Sequence, residues 1–130
     1  MSIDTQITMN APKSPGTREP TLLIVDDDQE VRIIIAEFLE DSGYRVLQAE
    51  GGARALALLE SYPETRMVVT DIRMPDMSGI ELADHVTQRW DGLKIILISG
   101  YSDVQPVSHR FLRKPFRMHE LAAAIEAELG

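Results

Sequence analysis

Three short apolar runs in this 130-residue chain each end on a charged or hydroxyl-bearing residue. Leu22-Leu23-Ile24-Val25 runs into Asp26-Asp27-Asp28, Met67-Val68-Val69-Thr70 into Asp71, and Ile95-Ile96-Leu97-Ile98 into Ser99; a fourth stretch, Arg110 to Arg113, delivers Lys114. Short apolar runs bounded by turn residues read as buried strands. Reactive groups at the carboxyl ends of such strands are where open α/β sheets place their sites.

Helical patterns lie between the runs. Val31, Ile34, Ile35, Phe38 and Leu39 follow the spacing of one helical face. Asp28 is placed to cap that helix, with Glu30 in its first turn and Gly43 at its end. Arg45 to Glu50 is the second strand, and residues 52–61 form an Ala/Leu-rich helix closed before Pro63. Ser78 and Glu81 have capping-box spacing for a helix that buries Leu82, Ala83 and Val86 and draws in Trp90. Lys94 to Ser99 and Arg110 to Lys114 are strands four and five. A last helix puts Met118, Leu121, Ala122, Ile125 and Leu129 on one face. Alternating strands and helices predict an α/β fold, a parallel sheet with helices on both faces.

The connection between strands four and five departs from that rhythm. Gly100 to His109 contains Pro106 and sits at the floor of about 10–12 residues that a parallel crossover with its helix requires. Extended chain spans roughly 3.3–3.6 Å per residue and can bridge the gap, whereas a helix gains only about 1.5 Å per residue. A loop, or at most one helical turn, is expected there.

Length predicts one domain over residues 21–130, after a polar, proline-punctuated tail at 1–20 expected to be flexible. There is no apolar run of about 18 residues for a membrane span, and the amino terminus lacks the basic start and apolar core of a signal peptide. The chain has no cysteine, which excludes disulfides, thiolate metal sites and a cysteine nucleophile. A cytoplasmic location is expected. The net charge of −8, without a basic cluster, argues against nucleic-acid binding. His85, His109 and His119 lack metal-ligand spacing and read as surface residues, and the methionines as gap-filling or loop residues.

The chemistry follows from the strand order. In a flavodoxin-like three-layer sandwich, order 2-1-3-4-5, strands one and three are neighbours and Asp26, Asp27 and Asp71 converge. Two unit charges 4 Å apart repel by roughly 4 kcal/mol at an effective dielectric of 20, so such a cluster calls for compensation. A hard divalent cation with all-oxygen ligands, Mg²⁺, supplies most of it, and Lys114 supplies the rest. A carboxylate can then act as nucleophile toward a phosphoryl group, a reaction that needs little beyond positioning and charge neutralisation. Asp71 is the candidate nucleophile, Asp26 and Asp27 hold the cation, Ser99 donates its hydroxyl, and Gly100 lets the phosphoryl group approach a backbone amide. Asp28 reads as a helix cap rather than a ligand.

At these residues the chain resembles the receiver domain of two-component response regulators. The matching pieces are Leu23 to Asp28 with Arg32, Thr70 to Pro75 through Gly79, Ile98-Ser99, and Phe111 to Phe116. The resemblance implies that Asp71 is the phosphoacceptor and that Asp26 and Asp27 bind Mg²⁺ together with Asp71 and the backbone carbonyl of Arg73. It implies a cis Lys114-Pro115 bond and a switch in which Ser99 and the aromatic Phe111 move on activation. It also implies a sensor histidine kinase as phosphohistidine donor. Arg73 and Tyr101 fall where the family tunes loss of the phosphoryl group. The family's usual fourth helix does not fit the short connection and is expected to be absent or reduced to a turn. No output domain is expected after the last helix, and with it a monomer or weak homodimer signalling through contact with an unidentified protein, catalysing only its own phosphorylation and dephosphorylation. Two alternatives stand beside this one. A phosphohydrolase of the haloacid-dehalogenase type would use Asp26 and Asp28, and a binding module would keep the fold without the phosphorylation.

Overall fold

The computed structural model of the chain describes residues 20–100 and 109–130. Its elements run β1 (Thr21–Val25), α1 (Gln29–Asp41), β2 (Arg45–Ala49), α2 (Gly52–Ser61), β3 (Thr65–Asp71), α3 (Gly79–Arg89), β4 (Lys94–Ser99), β5 (Arg110–Arg113) and α4 (Met118–Leu129). The five strands form one parallel sheet in the order β2-β1-β3-β4-β5. This is the flavodoxin-like sandwich expected from the sequence. The expected tail, Tyr101 and the connection said to lack a fourth helix fall outside the described residues, apart from the connection's two ends.

The central strands are mostly apolar and almost wholly buried because both faces of a parallel sheet are covered. Successive side chains point to opposite faces, so each strand feeds two cores. Leu23, Val25, Val68 and Leu97 pack with Leu59 of α2 and with Leu82 and Val86 of α3. Leu22, Ile24, Met67, Val69, Ile96 and Ile98 pack with Ile35 and Leu39 of α1 and with Leu121 and Ile125 of α4.

The helix ends form as expected. Asp28 caps α1, its Oδ1 accepting from the amides of Glu30 at 3.0 Å and Val31 at 3.3 Å. Gly43, at φ 103°, takes the left-handed conformation that turns the chain after α1. Ser78 and Glu81 close a reciprocal capping box on α3. Three details differ from the sequence pattern. β3 begins at Thr65, because Thr21 of β1 already pairs there. Ala124 rather than Ala122 is buried on α4. Ile34 is 58% exposed although it lies on the apolar stripe of α1; the stripe is wider than the sheet surface it covers.

Candidate functional site

Register brings the polar strand ends together. Val25 pairs with Thr70 and Asp71 with Ile98, so the residues following β1, β3 and β4 emerge side by side. Three backbone bonds carry the ladder one step past the strands: Asp26 N donates to Ala49 O (3.1 Å), Ile72 N to Ile98 O (3.1 Å) and Lys114 N to Ser99 O (2.8 Å). Asp26, Asp71, Ser99 and Lys114 are thereby held on sheet backbone rather than on free loop.

Asp26, Asp27 and Asp71 each place a carboxylate oxygen within 4.8 Å of the others. Asp26 and Asp71 are buried, while Asp27 is exposed at the mouth. Burial pushes the Asp26 carboxyl above its ordinary value; the amide of Asp28, donating to its Oδ1 at 2.9 Å, works against that rise, and the charge of Asp71 adds to it. Arg32 does not pair with this carboxylate. Its guanidinium donates to the backbone carbonyl of Asp26 at 2.7 Å and to the side chain of Gln48 at 3.2 Å, tying β1 to α1 and β2.

Lys114 reaches across from the end of β5, its Nζ 3.5 Å from Asp71 Oδ2. The Lys114-Pro115 bond is cis, as the resemblance implied. Ser99 is fully buried, its hydroxyl donating to Gly100 O at 3.2 Å. Phe111 is half-buried against the core on the α2–α3 face. Arg73 is exposed on the loop after β3 and shares a depression of about 450 Å³ with Asp27.

Two oxygens on opposite sides of one Mg²⁺ lie about 4.2 Å apart, so the spread of the carboxylates is close to what a single ion would gather. An all-oxygen donor set with a buried, charge-strained aspartate suits that ion. A second groove, about 370 Å³ and mostly apolar, borders the cluster between α1 and the chain after β5; Ile34, Pro115 and Phe116 line it beside Asp26 and Lys114.

Sequence reasoning overlooked Asp76. Its carboxylate accepts from the amides of Gly52 (3.2 Å), Ala53 (3.0 Å) and Met77 (2.9 Å), and these bonds, the one from Ala53 foremost, hold its carboxyl below the ordinary value. The one hint in the sequence was a helix starting at Gly51-Gly52 with no side chain to cap it.

Comparison with known proteins gives a consistent result. The family model described as response regulator receiver domain matches residues 22–126. The response regulator receiver protein CpdR of Brucella abortus is 36% identical over 115 residues, spanning 83% of this chain and 95% of that protein. The transcriptional regulatory protein FixJ of Azorhizobium caulinodans is 36% identical over 116 residues, 82% of this chain and 54% of that one. The crystal structure of the receiver domain from the hybrid histidine kinase CckA superposes with a TM-score of 0.76 at 29% identity, covering 85% of this chain and 99% of that one.

Proposed function

This chain belongs to the response regulator receiver domain family, and from that premise we propose that it accepts a phosphoryl group on Asp71 from a phosphohistidine of a sensor histidine kinase. The observation that carries the reading is the setting of Asp71. It is a buried carboxylate at the end of a central strand, with an ammonium 3.5 Å away and two further aspartates at its side. A carboxylate oxygen of Asp71 attacks phosphorus, the P–O bond forms, the P–N bond breaks and the imidazole leaves neutral, keeping the proton already on its other ring nitrogen. Lys114 neutralises a phosphoryl oxygen. The Ser99 hydroxyl turns from Gly100 O to donate to another, and Gly100, lacking a side chain, lets the group come close to the backbone.

Asp26, Asp27, Asp71 and the Arg73 carbonyl would hold Mg²⁺, which supplies positive charge against the carboxylates and the transferred group. Turning Ser99 toward the phosphoryl group removes it from Gly100 O and favours one of two conformations; Phe111, on the neighbouring strand, is the aromatic that reports the change to a partner protein. The groove offers the donor an apolar surface bordered by Asp26 and Lys114. A haloacid-dehalogenase reading finds no support here, because Asp28, its second acid, is occupied in capping α1.

Incubation with acetyl phosphate and Mg²⁺, followed by intact-mass measurement, tests the proposal. One added phosphoryl group is expected on the wild type and none on Asp71→Asn. Absence of the added mass where another receiver domain reacts would leave the binding-module reading.

A further inference from the structure

The loop joining β3 to α3, residues 72–78, is fastened to a helix that precedes it in the chain. Gly51, the N-cap of α2, has no side chain to accept from the first-turn amides. Asp76 serves them from the loop, with one oxygen toward Gly52 N and Met77 N and the other toward Ala53 N. A carboxylate is favoured there, since the helix dipole and the unpaired amides both attract negative charge. The approach depends on two glycines. A Cβ on Gly51 would lie 2.8 Å from Asp76 Oδ1, and one on Gly52 would lie 2.3 Å from Met77 Cγ. The other end of the loop is pinned as firmly: Gly79 N donates to Ile72 O at 2.8 Å, and a Cβ on Gly79 would lie 2.2 Å from Asp71 O. Arg73 sits between these two fixed points and lines the same depression as Asp27.

We propose that Asp76 is a positioning residue for the acidic cluster: by capping α2 from the loop, it sets where the Arg73 carbonyl stands beside Asp26, Asp27 and Asp71, and so sets the cluster's affinity for a divalent cation. This rests on the reading of Asp71 given above. A cap from within a helix, as Asp28 provides for α1, stabilises that helix alone. A cap from a distant loop holds helix and loop together, so whatever orders one orders the other, and the coupling is reciprocal. Cation binding at the cluster therefore slows hydrogen exchange at the amides of Gly52 and Ala53, which the cation does not touch.

The test compares the wild type, Asp76→Ala and Asp76→Ala/Gly51→Ser by Mg²⁺ titration calorimetry, thermal melting and amide exchange. Gly51→Ser returns to α2 a cap of its own, and the atoms its Cβ would meet belong to the deleted carboxylate. Asp76→Ala is expected to bind Mg²⁺ roughly tenfold more weakly, in the range for lost outer-shell support. The double variant recovers melting temperature but not Mg²⁺ affinity, and in the wild type alone Mg²⁺ slows exchange at Gly52 and Ala53. Wild-type affinity in Asp76→Ala, or its return in the double variant, would overturn the proposal and reduce Asp76 to a helix cap. A wild-type protein that takes up neither Mg²⁺ nor phosphoryl group would overturn this inference together with the reading of Asp71.

Discussion

Two carboxylates near the carboxyl end of the same sheet are held in opposite ways. Asp26 is buried, with a single backbone amide at its Oδ1 and like charges beside it, and its carboxyl is pushed up. Asp76 is exposed, receives three backbone amides, and its carboxyl is held down. The difference separates two uses of an acid. Asp76 is satisfied by the protein itself and acts as a fastener. Asp26 has one backbone amide and like charges beside it, which suits the cation-ligand role proposed for it.

Exchanging charge for an amide at each position is the sharpest way to break that comparison. Asp26→Asn is expected to lower acetyl phosphate-driven phosphorylation by about 100-fold or more, since a direct ligand matters more than the outer support worth 10–100-fold. Without Mg²⁺ the same variant melts at a higher temperature than the wild type, because a strained buried charge is gone. With Mg²⁺ the order reverses, because only the wild type gains by mass action. A variant that lost stability without Mg²⁺ would show that Asp26 is already satisfied by the protein.

At the other pole, Gly79→Ala drives a Cβ against the Asp71 carbonyl and is expected to cost about 1–3 kcal/mol by overpacking, read from chemical denaturation. Asp76→Ala should cost about 1 kcal/mol, the usual worth of a helix cap, or roughly 4–8 °C in melting temperature for a domain near this size. Its solvent exposure screens the charge, so the lost hydrogen bonds carry the effect.

The two acids also give pH dependences of opposite sign. Asp26 has a folded pKa above 3.8, so without Mg²⁺ its contribution to stability falls as pH rises from 3.8 through the folded value. Asp76 has a folded pKa below 3.8, so its contribution is present above 3.8 and is lost as pH falls through the folded value. Melting curves of Asp26→Asn and Asp76→Asn should both approach the wild type at the acid end and part from it in opposite directions as pH rises, Asp26→Asn above the wild type and Asp76→Asn below it. Smallest of all, Arg110→Ala removes an exposed ion pair with Glu128 and should change stability by less than about 0.5 kcal/mol.

The same contrast explains what could be read in advance. Asp26, Asp71 and Ser99 were legible because each follows a run too apolar to lie anywhere but inside the sheet, and register then places strand ends together. Asp28 and the Ser78–Glu81 box were legible because cap and helix are neighbours in the chain. Asp76 was not, because its partner amides lie on a helix that begins 24 residues earlier, and no periodicity marks a tertiary cap. Ile34 was misjudged for a related reason: helical spacing gives the apolar face but not the width of sheet available to cover it. Arg32 was part of the resemblance, but its bond to the Asp26 carbonyl was not foreseen, because a backbone acceptor carries no sequence signal.

The proposed phosphoryl transfer is tested most directly by which carboxylate carries the group. Borohydride reduces an acyl phosphate to the alcohol, so trapping the phosphorylated protein converts the modified aspartate to homoserine, located by peptide mass spectrometry. Homoserine at residue 71 alone is the predicted result; homoserine at 26, 27 or 76 would contradict it.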